Sequence, residues 1–121
     1  MEYRINRIDL KRNIANHRQE YLEAFEKVLD DAAFSGGAYA DRFEEEFARY
    51  CGVKACSGVN NGTSALHCAM LALGIGPGDE VIVPANTYIA TAWGVTYTGA
   101  TPVFVDCTAD TWELDPDRLE A

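Results

Sequence analysis

The segment Ser57-Gly58-Val59-Asn60-Asn61-Gly62-Thr63-Ser64-Ala65-Leu66-His67 places a glycine and two hydroxyl side chains where an extended stretch gives way to a helical one. A helix N-terminus carries unpaired backbone N–H groups and the positive end of the helix dipole, so such a turn can accept a phosphate. Thr63 and Ser64 add hydroxyl donors, and Gly62 lets the backbone approach a ligand with no side chain in the way. The same residues also allow a structural reading, in which Asn61 or Thr63 only caps the helix. Two nucleotide motifs are excluded: there is no G-x-x-x-x-G-K-S/T, and Gly58 and Gly62 do not make a G-x-G-x-x-G fingerprint.

A second candidate is Pro84-Ala85-Asn86-Thr87-Tyr88-Ile89-Ala90-Thr91, again at the end of an expected strand and the start of an expected helix. Ligands of open parallel sheets bind at that edge. Tyr88 has a ring that can lie flat against a planar heteroaromatic group, although an aromatic residue in a first helical turn also serves packing.

The elements that must position these residues follow from spacing. From His17 to Ala33 the residues Tyr21, Leu22, Ala24, Phe25, Val28, Leu29, Ala32 and Ala33 recur at helical intervals, which predicts an amphipathic helix. Phe34-Ser35-Gly36-Gly37 ends it. A second helix is expected from about Tyr39 to Tyr50, with Phe43, Phe47 and Tyr50 on one face and Asp41, Glu44, Glu45 and Glu46 in its first turns; Gly52 closes it. Beyond Lys54 the pattern becomes a weak strand to Val59, a helix from Thr63 to Leu73, a strand from Glu80 to Pro84, a helix from Tyr88 to about Thr98 and a strand from Thr101 to Val105. Strand, helix, strand, helix, strand predicts an α/β fold with a parallel sheet. Asp115-Pro116 then reads as a helix start only five residues before Ala121, so the sequence is expected to be truncated.

Composition bounds the function. The 121 residues, 48% hydrophobic and 24% charged, suit at most one globular domain, with 1–53 as a helical segment and 54–121 as the start of the α/β domain. A formal charge of -9 argues against nucleic acid or an anionic membrane as partner, leaving small molecules or proteins. The uncharged run from Val81 to Val105 holds Pro84, Asn86, Gly94, Gly99 and Pro102, which a lipid-spanning helix would not need. Met1 to Lys11 lacks the apolar segment of a signal peptide, so the expected location is the cytoplasm. Cys51, Cys56, Cys68 and Cys107 are irregularly spaced and are expected to be small buried hydrophobes; with His17 and His67 standing alone, no metal site is expected.

Six motifs follow one another in order: Phe34-Ser35-Gly36-Gly37-Ala38-Tyr39, Phe43-Glu44-Glu45-Glu46-Phe47-Ala48, Asn61-Gly62-Thr63-Ser64-Ala65-Leu66, Gly76-Pro77-Gly78-Asp79-Glu80-Val81-Ile82-Val83-Pro84, Asn86-Thr87-Tyr88, and Gly99-Ala100-Thr101-Pro102-Val103-Phe104-Val105-Asp106. Together, from about Ile8 to Ala121, they resemble the opening third of the DegT/DnrJ/EryC1/StrS sugar aminotransferases. That resemblance implies a fold-type I, aspartate-aminotransferase-like architecture, of which this chain would hold an incomplete parallel sheet, and a pyridoxal 5'-phosphate cofactor. It implies that Thr63 and Ser64, at the Gly62 turn, bind the cofactor phosphate and that Tyr88 stacks on its pyridine ring. It places the aspartate paired with the pyridine nitrogen, and the lysine of the Schiff base, beyond Ala121; Lys11, Lys27 and Lys54 match no motif, so no catalytic residue is expected here. It further implies glutamate and a nucleotide-linked keto sugar as substrates, a homodimer, and later strands lying between the first and second strands expected here. Two alternatives stay open at this point: a non-catalytic small-molecule-binding or regulatory module, and a flavodoxin-like nucleotide-binding domain.

Overall fold

Asp9 starts the first helix by accepting a hydrogen bond from the Arg12 N–H at 3.1 Å, and in the computed structural model, which describes residues 8–119, α1 runs Leu10–Asp30. The expected start at His17 is corrected by seven residues: Leu10 and Ile14 extend the apolar row of Tyr21 and Phe25 at helical spacing, and Asp9 supplies the cap ahead of them. The end comes earlier than Ala33, because Ala32 takes a left-handed backbone at φ 50° and the Ala33 N–H turns back to the Val28 carbonyl. Of the expected helix after Asp115, the last two residues lie outside the described range.

The chain divides between Gly58 and Val59 into two compact units. The first holds α1 and α2, Ala38–Cys51, joined by the Phe34-Ser35-Gly36-Gly37 loop. Tyr39 at the start of α2 donates its hydroxyl to Asp31 Oδ2 at 2.7 Å, tying the end of one helix to the beginning of the next; that carboxylate raises the Tyr39 phenol above its ordinary pKa. Phe43, Phe47 and Tyr50 stack in a row along α2, as the spacing requires, with ring centroids 5.5 and 6.1 Å apart. Gly52 and Val53 close the helix through hydrogen bonds to Arg49 and Ala48. The expected strand from Lys54 to Val59 does not form. A strand needs a neighbour for its backbone groups, and the Gly58 N–H is bonded instead to the Glu44 carboxylate.

The second unit contains α3 (Gly62–Ala72), β1 (Glu80–Pro84), α4 (Ala90–Thr96), β2 (Thr101–Val105) and a short 3₁₀ turn, Pro116–Arg118. β1 and β2 pair in parallel, Glu80 opposite Thr101 through Pro84 opposite Val105, with α4 in the crossover. Val83, Val95 and Ala100 form the core, with Met70, Ile75 and Val81 packed on it. β1 alternates: Val81 and Val83 turn towards this core while Ile82 remains exposed. After β2, Cys107 bridges to Leu114 in antiparallel fashion, and Asp115 caps the 3₁₀ turn by accepting from the Asp117 N–H.

Helices α3 and α4 meet closely at Gly94. A methyl group placed there would come 2.8 Å from Leu66 Cβ, closer than carbon atoms pack, and 3.4 Å from the Leu66 carbonyl carbon, an ordinary contact. Gly94→Ala is therefore expected to destabilise the protein, since overpacking costs about 1–3 kcal/mol, against about 1 kcal/mol gained in helix propensity. A lowered thermal midpoint checks this; an unchanged or raised midpoint would show that the helices part freely.

The four cysteines correct an expectation. Cys51 and Cys68 are exposed, and Cys56 and Cys107 are half-buried, so none packs as a core hydrophobe. His17 is exposed as well and is not alone, lying 3.2 Å from Glu20 one turn on. Among the described residues, no group of three or more His, Cys, Asp or Glu side chains is placed to hold a metal ion. Among the same residues, no helix is long and apolar enough to cross a membrane.

Candidate functional site

Asn61 settles which side chain caps α3. In extended backbone, its Oδ1 accepts the Ser64 N–H at 2.9 Å, and its carbonyl accepts the Ala65 N–H. The capping role is therefore filled without the hydroxyls of Thr63 and Ser64, both of which are half-buried in the first turn. The N–H groups of Gly62 and Thr63 are the two donors ahead of the capped one, positions that an α-helix leaves without an intrahelical acceptor. A Cβ added to Gly62 would meet nothing within 4 Å, so the backbone at this turn is open to an approaching group. No acidic residue stands in the first turn of α3, so no carboxylate competes there with an incoming anion.

Tyr88 stands differently from its expected place. α4 begins at Ala90, so Tyr88 lies in the connection from β1, two residues ahead of the helix, with its side chain 74% exposed. The helix starts late because the polar run Asn86-Thr87 offers it no side-chain cap; Thr87 Oγ1 bonds Thr91 Oγ1 at 2.8 Å, and the Thr91 N–H goes to the Tyr88 carbonyl. An exposed ring in a connection is freer to meet a ligand than one packed in a first turn.

Parallel pairing brings the ends of β1 and β2 to one edge. Pro84 lies opposite Val105, the Ala85 N–H adds one more bond to the Val105 carbonyl at 2.8 Å, and Asn86-Thr87-Tyr88 and Asp106 leave from there. Such an edge of a parallel sheet is where α/β folds bind ligands. Gly62, Thr63 and Ser64 form the first turn of α3, Tyr88 lies two residues ahead of α4, and the two helices touch through Leu66 and Gly94. The three lysines of the chain, Lys11, Lys27 and Lys54, all belong to the first unit. An open groove in that unit, lined by Asp41, Glu44, Glu45, Arg49, Lys54 and Cys56 among others, contains none of the sequence-expected site residues.

Comparison with known proteins decides the family. Residues 15–121 match the model of the DegT/DnrJ/EryC1/StrS aminotransferase family. The chain belongs to that family. It is 60% identical over 106 residues to a GDP-perosamine synthase of Caulobacter vibrioides, covering 88% of this chain and 28% of that protein. It is 47% identical over 117 residues to a dTDP-3-amino-3,4,6-trideoxy-alpha-D-glucose transaminase of Streptomyces venezuelae, covering 97% of this chain and 31% of that one. Among solved structures, S. venezuelae DesV in complex with a ketimine intermediate superposes with a TM-score of 0.89 at 45% identity, over 98% of this chain and 32% of DesV. Bacillus subtilis ntda with bound cofactor PMP superposes at 0.81 with 35% identity, over 87% of this chain and 24% of that one. The fold is thus the fold-type I aminotransferase fold, represented here by β1, α4, β2 and the helices before them, and the flavodoxin-like reading is set aside.

Proposed function

We propose that the chain forms part of a pyridoxal-phosphate-dependent aminotransferase that moves an amino group from glutamate to the keto group of a nucleotide-linked sugar. The observation that carries this reading is the N-terminus of α3: an open Gly62 backbone, two hydroxyls not spent on the cap, and no acidic residue in the first turn, in a chain belonging to this family. These residues fit a phosphate. Gly62 and Thr63 would donate backbone N–H groups, Thr63 and Ser64 would donate hydroxyls, and the exposed ring of Tyr88 would cover one face of the cofactor pyridine. When bound, the cofactor supplies an electron sink for transferring the amino group.

What this chain contributes is binding and orientation. Fixing the phosphate anchors one end of the cofactor, and stacking on Tyr88 fixes the plane of the other, so that its reactive carbon is presented in one attitude. The cofactor-linked lysine is not among Lys11, Lys27 and Lys54 in this reading. The same reading divides the chain into a helical segment, 1–53, and the beginning of the cofactor-binding domain, 54–121, in a cytoplasmic homodimer. The relatives' names support the substrate class, since both name sugar nucleotides or their products. The test is to purify the protein as its gene encodes it, look for the visible absorbance of bound cofactor, and follow 2-oxoglutarate released from glutamate with a nucleotide-linked keto sugar. A colourless protein that releases none would overturn the proposal.

Tyr88 gives a sharper check. Tyr88→Phe keeps the face and is expected to hold cofactor affinity within about threefold, while Tyr88→Ala, which removes the face, is expected to cost at least about tenfold. Cofactor titration of the two variants measures this. Equal losses in both would assign the role to the hydroxyl and not to the ring.

A further inference from the structure

Among the described residues, no hydrogen bond holds the Tyr88 hydroxyl and no aromatic ring packs on its own, and the side chain is 74% exposed. The direction of the ring is therefore decided by the backbone that carries it, the connection from Ala85 to Ile89. That connection is tied at two places. At its front, the Ala85 N–H bonds the Val105 carbonyl at 2.8 Å. At its back, both ties go to Thr91. The Thr91 N–H donates to the Tyr88 carbonyl at 3.0 Å, and the Thr91 hydroxyl pairs at 2.8 Å with that of Thr87, the residue before Tyr88. Ile89 gives α4 no side-chain cap, so among the described residues the hydroxyl pair is the side-chain bond that joins the connection to the helix. Thr91 is the fixed end of that pair: it is half-buried between the buried Ala90 and Ala92, whereas Thr87 is exposed.

We infer that Thr91 is a positioning residue for the ring of Tyr88: through the Thr87 hydroxyl and the Tyr88 carbonyl it holds the backbone on which that ring is mounted. The inference rests on the reading of Tyr88 as the cover of the cofactor ring. Both residues belong to the second compact unit, and each step from Thr91 to Tyr88 is a direct hydrogen bond or a peptide bond. A binding group works when it is held within about 10–20° of the productive orientation. A ring on a loose connection would have to be ordered by the ligand, at a cost in affinity, and the hydroxyl pair removes that cost beforehand. Thr91 acts through Tyr88 and touches no ligand itself.

The test is a double-mutant cycle on the cofactor-free protein encoded by the complete gene, titrated with pyridoxal 5'-phosphate and read by quenching of tryptophan fluorescence, independently of turnover. Thr91→Val keeps the N–H and the branched shape, removes only the hydroxyl, and is expected to weaken binding by about threefold to fivefold. In a Tyr88→Ala background the same change is expected to alter affinity by less than about 1.5-fold, because no ring is left to position. Thr91→Ser keeps the hydroxyl and is expected to bind within about 1.5-fold of wild type. Thr87→Val breaks the same bond from its other end, is expected to repeat the pattern, and serves if Thr91→Val does not fold. Wild-type affinity in Thr91→Val would overturn the inference, as would an equal loss with and without the Tyr88 ring, or a Thr91→Ser variant as weak as Thr91→Val. A Tyr88→Ala variant that binds as wild type does would overturn the stacking reading, and the role of Thr91 with it.

Discussion

Replacing Thr63 and Ser64 together by alanine is expected to lower affinity for pyridoxal 5'-phosphate at least tenfold while leaving the stability of the cofactor-free protein almost unchanged. The first half follows from the hydroxyls. A hydrogen bond to a charged group is worth about 1.5–3 kcal/mol, and each 1.4 kcal/mol is about a factor of ten in binding, so the loss of two such bonds gives a decrease that titration resolves. The second half follows from the cap. Asn61 Oδ1 already holds the Ser64 N–H, so neither hydroxyl is needed to start α3. Asn61→Ala is the contrasting variant: it removes the cap and is expected to cost about 0.5–2 kcal/mol of stability. An unchanged dissociation constant in the double variant, with a lowered thermal midpoint, would return Thr63 and Ser64 to a purely structural role.

The distinction between cap and ligand was only half legible in the residues. Asn61-Gly62-Thr63-Ser64 announces a helix start, and both β1 and β2 fall where their apolar runs predict them, because a short β-branched run bounded by Pro and Gly has few other ways to bury itself. Which of Asn61 and Thr63 caps depends on one backbone dihedral, and spacing does not carry that information. The start of α1 was hidden for a related reason. Leu10 and Ile14 continue its apolar row, but the interrupting Lys11, Arg12, Asn13 and Asn16 mask the period until Asp9 is recognised as the cap. The stretch from Lys54 to Val59 reads as a weak strand but has no partner to pair with among the described residues, and pairing is a property of the sheet, not of the segment. Tyr88 was placed correctly at the sheet edge but wrongly in the helix, since the Thr87–Thr91 bond that delays α4 joins two side chains one turn apart.

The second large effect concerns the 121 residues made alone, which are expected to self-associate, to melt without a cooperative transition and to show no turnover with glutamate and a nucleotide-linked keto sugar. The physical half follows from how little is covered. α1 is 21 residues long and buries none of them, although Ile14, Tyr21, Leu22 and Phe25 line one apolar depression along it. A helix of that length without a partner for its apolar face is marginal in water. In the second unit the core rests on Val83 and Val95, while Ile82 in β1 and Phe104 in β2 are about half exposed, at 49% and 56%. Among the described residues the sheet has two strands, each with one unpaired edge, which is a template for pairing with another chain. Exposed apolar faces beside open edges drive association, and association removes the conditions for a two-state monomer. The chemical half follows from the proposed reading, in which the cofactor-linked lysine is none of Lys11, Lys27 and Lys54, so that a cofactor held here by phosphate and ring would lack its covalent partner. Size-exclusion chromatography, a thermal melt followed by circular dichroism, and an assay for 2-oxoglutarate make the measurement. A monodisperse monomer with a cooperative transition would show that the small core suffices, and amino-sugar formation above background would show that one of these three lysines serves after all.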